Sequence, residues 1–237
     1  MLLTRRAVAE LVGTALLLVA VVGSGIAAQR LSPGDAGLQL LENAAATAAA
    51  LVAIILAVGA VSGAHLNPLV TLADRVFGGL TTREAGVYCG AQVVGAALGT
   101  VVANLMFELP AVELSDHSRT GSGVWIGEIV ATLGLLLVVF GVVRSGRTAL
   151  APFAVAAWIG AAYFFTSSTS FANPAVTVGR TLTDTFAGIA PSSLPGFVIA
   201  QLVGAVLAIA LVRILYPNAA AVAAELIVPH ASQEVPG

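Results

Sequence analysis

Asn67-Pro68-Leu69-Val70-Thr71 is repeated, with one change, as Asn173-Pro174-Ala175-Val176-Thr177. Each copy lies near the end of a long stretch without charged residues, at 43–73 and at 148–179. As a single helix, either stretch would be about 46–48 Å long at 1.5 Å per residue, which exceeds the roughly 30 Å of a bilayer core. Asn is a favoured N-cap and Pro suits the first helical position. We therefore predict that each stretch forms a full span, a re-entrant loop and a half-helix that begins at Asn-Pro.

The composition indicates a protein that crosses the membrane several times. Of the 237 residues, 58% are hydrophobic and 9% are charged, against about 25% charged in a soluble domain. This excludes an ordinary cytosolic enzyme and an intrinsically disordered chain. The chain has no lysine and a net charge of −2, so no surface for nucleic acid is predicted. The single cysteine, Cys89, excludes an intrachain disulfide, and the three histidines show no metal-ligand spacing.

The other uncharged stretches each fit one span of about 20 apolar residues. The prediction is six spans, at roughly 7–28, 38–61, 83–106, 123–143, 149–166 and 196–216, and two half-helices, at 67–77 and 174–184. A cleaved signal peptide is the alternative interpretation of Arg5, Arg6 and the apolar run that follows them. We favour a span because the run is too long for a signal peptide and has a matching partner later in the chain.

The two halves of the chain are internal repeats. Matching segments occur in the same order at 9–14 and 127–132, at 67–71 and 173–177, and at 91–96 and 200–205. Residues 1–106 and 120–216 are therefore predicted to be two copies of a three-span unit within one domain, 1–216, followed by a mobile tail at 217–237. An odd number of spans inverts the second copy in the membrane. Seven arginines on the side of the N terminus, against three on the other side, predict that both termini are cytoplasmic.

The segments around the two Asn-Pro motifs resemble a known family. Ser62-Gly63-Ala64-His65-Leu66-Asn67-Pro68 and Phe171-Ala172-Asn173-Pro174-Ala175, with the paired acids Glu10 and Glu128, are similar to the motifs of the major intrinsic proteins, which are aquaporins and glycerol facilitators. The resemblance implies an all-α membrane protein with six transmembrane helices and two re-entrant half-helices in an inverted repeat. It also implies a homotetramer with one pore in each protomer.

In this interpretation the pore centre is formed by the two motifs, Asn67, Pro68, Leu69, Asn173, Pro174 and Ala175. Two half-helix N termini that meet at the midplane present positive dipole ends and free N–H donors to the pathway. Such a field disfavours protons and cations without any bound ion. Leu69 replaces the alanine that is usual in the family, so the contact between the half-helices is expected to differ.

The family has a second constriction nearer the outside, and its four positions correspond here to Thr47, Ala161, Ser170 and Val176. Family members usually have arginine in place of Val176, and water-selective members have aromatic and His residues at the other positions. The small or aliphatic side chains of this chain predict a wider opening without the fixed positive charge. A small subset of bacterial members with this Arg-to-Val change resembles arsenic-detoxification channels, so this chain resembles an atypical bacterial member.

Two residues are candidates for the vestibules of the pore. Arg180 follows Val176 by four residues and therefore lies on the same helical face. It either lines the outer vestibule, replacing part of the missing charge, or contacts lipid headgroups or loop carbonyls. His65 either borders the inner half of the pore or is packed in the protein. Asp74, seven residues after Asn67, is expected to be a solvated charge at the cytoplasmic mouth.

Glu10 and Glu128 are the only carboxylates deep in full spans. A buried carboxylate is costly and needs partners. Their symmetric positions predict that they accept hydrogen bonds from N–H groups of the two re-entrant loops. The alternative is proton coupling, which requires that such an acid face the transport pathway.

The sequence therefore predicts a passive channel of the cell inner (plasma) membrane for small uncharged solutes. These would be glycerol-like polyols, urea, metalloid acids such as arsenite, and water. A water-selective aquaporin and a proton-coupled secondary transporter are the alternatives. No nucleophile–base pair or metal-ligand group is apparent, so we expect no enzymatic activity, no cofactor and no metal. The expected partners are neutral solutes, water, the lipid bilayer and further copies of the chain.

Overall fold

The computed structural model describes residues 2–217 of the protein, and the regular structure in this part is entirely helical. Six helices are long and apolar enough to cross a membrane. They are α1 (Leu3–Leu31), α2 (Ala36–Ser62), α4 (Thr82–Met106), α5 (Ser122–Arg144), α6 (Ala151–Phe165) and α8 (Leu194–Leu215). Short 3-10 turns at Thr148–Leu150 and Pro191–Ser193 precede α6 and α8. The predicted tail, 217–237, lies outside the described residues except for Pro217.

Two short helices, α3 (Pro68–Phe77) and α7 (Pro174–Gly179), begin at the Asn-Pro motifs as predicted. The Asn67 side chain accepts a hydrogen bond from the backbone N–H of Leu69, and the Asn173 side chain accepts from Ala175 and Val176. The second half-helix is shorter than the predicted 174–184, because a 3-10 turn over Arg180–Leu182 replaces its last part.

The two repeats pack their helices in the same way, with glycines at the close contacts. A Cβ added at Gly95 of α4 would lie 2.3 Å from the carbonyl oxygen of Leu11 in α1, and one added at Gly204 of α8 would lie 2.6 Å from that of Ile129 in α5. Only glycine permits such an approach between helices. Each repeat therefore contains one tightly packed helix pair, α1 with α4 or α5 with α8, beside its third span, α2 or α6.

The half-helices enter from opposite faces and meet inside the protein. We call the face at which α1 begins the N-terminal face and the face at which α1 ends the opposite face. In the chain, α3 lies between the end of α2 and the start of α4, both of which are at the N-terminal face. In the second repeat, α7 lies in the same way between α6 and α8 at the opposite face. Non-helical backbone at this depth is tolerated where it is buried in protein or lines a cavity. This arrangement positions the candidate site.

Candidate functional site

One cavity of about 440 Å³ runs through the middle of the helical bundle. Its lining includes Thr148 and Ala149 near the N-terminal face, Asn67 and Asn173 in the centre, and Arg180 near the opposite face. Most of the remaining wall is aliphatic, from residues of α1, α2, α5 and α6 such as Leu17, Val21, Leu51, Ile55, Leu135 and Val155. The cavity therefore passes both half-helices and has a few polar groups on an apolar wall.

Asn67 and Asn173 tie the two half-helices together at the centre. The Asn67 Nδ2 donates to the carbonyl of Ala172, and the Asn173 Nδ2 donates to the carbonyl of Leu66, both at 2.8 Å. Because a side-chain amide carries two N–H donors, each Asn can form its crosslink and still offer a donor to the cavity that it lines.

The other residues of the two motifs pack behind the cavity wall. Leu69 is buried in an apolar cluster with Phe140 and Ala208, and Ala175 is buried in the main core. Pro68 is buried and Pro174 half-buried. None of these four is among the residues that line the cavity. Their contribution is to begin the half-helices and to anchor them, while the Asn side chains face the path.

Both re-entrant loops contain non-glycine residues in the left-handed region. In the first loop these are Ala64 and Leu66, with φ of 49° and 52°, and in the second they are Thr169, Ser170 and Ala172, with φ of 60°, 53° and 48°. This conformation costs roughly 1–2 kcal/mol per residue. It persists only where the surroundings hold the backbone in place. Each loop therefore needs hydrogen-bond partners that hold its backbone in this conformation.

Glu10 holds the first loop. Its carboxylate accepts hydrogen bonds from the backbone N–H groups of His65, at 2.9 Å, and Leu66, at 2.7 Å. The Ser62 hydroxyl, at 2.6 Å, and the Gln92 side-chain amide, at 2.7 Å, donate to the same carboxylate. A fully buried acid thus has four donors around it, which offsets the cost of its burial.

Glu128 holds the second loop in the equivalent manner. It accepts from the backbone N–H groups of Phe171 and Ala172, both at 2.9 Å, and from the Gln201 side chain at 2.6 Å. Both acids are completely buried, and neither lines the cavity. Their hydrogen bonds fix the backbone that forms the wall.

The structure brings three of the four expected filter residues together. Thr47, Ser170 and Val176 all line the cavity on the opposite-face side of the two Asn residues. The Ser170 Oγ is buried and makes no hydrogen bond in the described part of the chain. A buried hydroxyl without a partner is costly, so this atom has capacity for one further hydrogen bond beside the cavity.

The assignment of Ala161 to the filter is corrected by the structure. Ala161 is exposed on the outside of α6 and does not line the cavity. Helical geometry explains the difference: the cavity face of α6 carries Pro152, Val155, Ile159 and Tyr163, which follow the three- and four-residue spacing of one face. Ala161, two residues from Ile159, is rotated by about 200° onto the other face.

Tyr163 is a cavity residue that counting from the motif did not identify. Its hydroxyl lies 3.3 Å from the Thr47 hydroxyl, and either oxygen can be the donor. Its position could have been predicted from the three- and four-residue spacing that begins at Pro152 in α6. With Thr47 and Ser170, Tyr163 gives this part of the cavity three hydroxyl groups, each able to donate and to accept.

Arg180 lines the cavity near the opposite face and is 2% exposed. Its guanidinium carbon lies 3.5 Å from the centroid of the Phe171 ring, and its Nε donates to the carbonyl of Ala187. It therefore combines the two expected roles, because it contacts a loop carbonyl and also faces the pathway. A lipid-headgroup contact does not fit this burial.

A second arginine, Arg119, approaches the same aromatic ring from the loop between α4 and α5. Its guanidinium carbon lies 5.4 Å from the Phe171 centroid, and it donates to the carbonyls of Gly188 and Phe186. Burial lowers the pKa of Arg119, while the charge of Glu128 acts in the opposite direction. Sequence reasoning did not identify this pair, because 61 positions separate the two arginines in the chain.

At the N-terminal side, His65 lines the cavity. Its Nδ1 lies 3.1 Å from the Thr71 hydroxyl, and its Nε2 lies 3.8 Å from an oxygen of Asp74. Asp74 is 1% exposed, which corrects the expectation of a solvated charge. The histidine is both packed and exposed to the pathway through its ring edge.

Away from the cavity, the outer loops bring together Asp116, His117 and Asp184. Their potential ligand atoms lie within 4.8 Å of one another, although the sequence spacing gave no sign of a metal site. A hydrogen bond from the Asp116 backbone N–H lowers the pKa of Asp184. These side chains are exposed or half-exposed and join the two loops, and we assign no metal to them.

Comparisons with known proteins agree with this geometry. The sequence profile described as "Major intrinsic protein" matches residues 1–172 and 147–235. The chain is 52% identical over 211 residues to aquaglyceroporin AqpS of Rhizobium meliloti (strain 1021), which covers 89% of this chain and 90% of that protein. It is 31% identical over 189 residues to probable aquaporin TIP1-1 of Oryza sativa subsp. japonica, with 75% of each chain covered.

A solved structure has the same fold. It is the X-ray structure of the aquaglyceroporin from Plasmodium falciparum, which matches with a TM-score of 0.68 at 21% sequence identity. The match covers 92% of this chain and 99% of that one.

Proposed function

The chain belongs to the major intrinsic protein family, and from this premise we propose that it passes small uncharged polar solutes through a pathway without the usual filter arginine. It is a membrane channel for small solutes and water, and it is not an enzyme. The proposed solutes are polyols such as glycerol, urea, and undissociated metalloid acids such as arsenite. The name of the Rhizobium relative, aquaglyceroporin, supports glycerol among them.

One observation carries this proposal: Val176 lines the cavity where the family usually has arginine. Aliphatic methyl groups neither bind a solute hydroxyl nor occupy the volume of a guanidinium. The neighbouring hydroxyls of Thr47, Tyr163 and Ser170 supply hydrogen bonds at the same level. A polar solute that loses water there finds partial replacement for it, which favours neutral molecules over ions.

Passive transport is supported by the placement of the buried acids. Coupling to protons would require a titratable group in the pathway. Glu10 and Glu128 lie outside the cavity wall, and their oxygens accept hydrogen bonds from the backbone of the two loops. We assign them a structural role.

Arg180 is proposed to replace part of the charge that is absent at Val176. Its side chain faces the cavity one helical turn closer to the opposite face. A fixed cation at this level repels cations before they reach the half-helix dipoles. At the other end, His65 is proposed to offer its ring edge to solutes near the N-terminal face.

Assembly and orientation are further parts of the proposal. Residues of a single chain are sufficient to line the cavity, so each copy in the proposed homotetramer would have its own pore. Most exposed side chains of the spans are large and apolar, as expected for surfaces that face lipid or another protomer. We place the channel in the plasma membrane, and the arginine distribution supports an orientation with the N-terminal face in the cytoplasm.

Stopped-flow permeability of purified protein in liposomes tests the function. We expect fluxes of glycerol, urea and arsenite that rise linearly with the gradient and do not change when a pH gradient is imposed. Empty liposomes and liposomes with heat-denatured protein are the controls. Saturable flux that follows the proton gradient would contradict a passive channel.

A further inference from the structure

The guanidinium of Arg180 has unused hydrogen-bonding capacity that faces the cavity. Its Nε is bonded to a carbonyl, but within residues 2–217 its two terminal nitrogens have no hydrogen-bond partner, and they are not enclosed by protein. Only 2% of the Arg180 residue is exposed. A guanidinium carries five N–H donors, so four of them remain available to a group that enters the cavity.

Arg119 places a second cation beside the first. Both guanidinium carbons lie within 5.4 Å of the centroid of the Phe171 ring. Arg119 uses its Nε and one terminal nitrogen for the carbonyls of Gly188 and Phe186. These bonds hold the cation beside the Phe171 ring, which lines the cavity, without neutralising it, although Arg119 itself does not line the cavity.

Neither arginine forms an ion pair with an acid among residues 2–217. In the described part of the chain, no carboxylate oxygen lies within 4.0 Å of a nitrogen of either arginine. The acid whose charge acts on both is Glu128, and its oxygens already accept hydrogen bonds from Phe171, Ala172 and Gln201. Two cations near one ring without an ion-paired acid can attract an anion from solution.

The chemistry of the open donors indicates the kind of anion. A guanidinium presents N–H groups in a fixed fork that matches the oxygens of a carboxylate, phosphate or sulfate. Beyond Arg180 the wall continues with the methyl groups of Val176, which cannot replace the water around a charged solute. An oxyanion would therefore be held at Arg180 and would not continue along the cavity.

We propose that Arg180 and Arg119, which both contact the Phe171 ring, form a binding site for a small oxyanion at the cavity mouth near the opposite face, and that the bound anion obstructs solute flux. The proposal rests on the channel function proposed above and adds an inhibitory site to it. The site is distinct from the four filter positions of the family, because neither arginine occupies one of them.

The test uses the full chain in liposomes with glycerol flux as the readout. Sodium sulfate or sodium phosphate is added at the opposite face and compared with sodium chloride at equal ionic strength and osmolarity, because screening alone also changes with salt. We expect millimolar sulfate or phosphate to slow glycerol flux in the wild type. Arg180→Gln should abolish this inhibition. Arg119→Gln should raise the half-inhibitory concentration about tenfold, as expected for the loss of one charged contact of about 1.4 kcal/mol.

Arg30 provides a matched control. It lies at the same face, contacts the Phe107 ring at 5.1 Å and donates to the Phe107 carbonyl, but it is exposed and its ring contact is with Phe107 and not with Phe171. Arg30→Gln should therefore leave the inhibition unchanged. Equal loss of inhibition in Arg30→Gln and Arg180→Gln would overturn the site, because it would indicate a general effect of surface charge.

A binding measurement separates failure of this site from failure of the channel function. Sulfate should raise the thermal unfolding temperature of the detergent-solubilised wild type relative to chloride, since a ligand that binds only the folded state stabilises it. Arg180→Gln, and the charge-preserving Arg180→Lys to a smaller extent, should reduce this rise. If the wild type conducts no solute in any salt, the channel proposal fails and the thermal shift still decides the anion site. Normal flux with no effect of sulfate or phosphate on flux or unfolding would overturn the anion site alone.

Discussion

The two re-entrant halves of the molecule are alike where they meet and different where they end. At the centre, Asn67 and Asn173 form reciprocal 2.8 Å hydrogen bonds, and a buried glutamate in each half holds two loop N–H groups. Seven residues after each Asn the halves diverge, with Asp74 near the N-terminal face and Arg180 near the opposite face. Both side chains are buried, one an acid and the other a base.

This difference distinguishes the residues that hold the pathway together from the residues that determine which solutes enter it. The shared residues hold left-handed backbone that could not persist alone, and both copies need them equally. The divergent residues are not needed to form a half-helix, since α3 and α7 both form with opposite charges at this position. We infer that the residues shared by both halves form the pathway. The residues that differ at its two ends, Asp74 and Arg180, determine which solutes enter it.

The largest expected effect comes from removing either glutamate. Glu10→Ala and Glu128→Ala each leave two loop N–H groups without an acceptor, at about 1–3 kcal/mol for each buried group. Because the two halves have equivalent bonds, we expect both variants to lose folded protein and flux to a similar extent. The measurements are the yield of monodisperse protein in detergent and its thermal unfolding.

The exposed Glu113 offers the control, and Glu113→Ala should behave like the wild type. If only one of the two buried glutamates proved necessary, the equivalence of the two centres would be wrong.

The next effect concerns the two mouths. Arg180→Ala removes the cation that faces the cavity, so the leak of monovalent cations should rise about tenfold, the change for 1.4 kcal/mol of lost repulsion. Asp74→Asn should not produce this leak, because Asp74 does not line the cavity. Ion leak is measured in liposomes with an imposed diffusion potential, and Arg180→Lys serves as the charge-preserving control. Unchanged solute flux and ion leak in Arg180→Ala would remove its proposed role.

Much of the fold could be predicted because the responsible signals are local. The Asn-Pro pairs define the first turn of each half-helix, and uninterrupted apolar stretches define the spans. Ala161 was assigned by counting back from Asn173, which assumes the length and path of the loop between them. That path includes Thr169 and Ser170 in left-handed conformations, and no short-range pattern specifies it. The approach of Arg119 to Phe171 depends on tertiary folding, so it could not be predicted from the sequence either.

The smallest effect tests this corrected register of α6. Tyr163→Phe and Ser170→Ala each remove one hydroxyl from the cavity, and each should slow glycerol flux about fivefold, as for a hydrogen bond of about 1 kcal/mol. Ala161→Leu should leave the flux unchanged because Ala161 is on the outer surface of α6. Glycerol and water permeabilities are measured on the same preparations. If Ala161→Leu blocked glycerol flux and Tyr163→Phe had no effect, Ala161 would be a filter residue as the sequence predicted.

The central claim is that the pathway is wide because Val176 stands where the family has arginine. Comparing the wild type with Val176→Arg for water, urea and glycerol permeability in liposomes tests it most directly. The account predicts that the wild type conducts all three, and that the arginine reduces glycerol most, urea less and water least, because it fills the cavity and adds a cation. A wild type that conducts water rapidly and excludes glycerol would contradict the account.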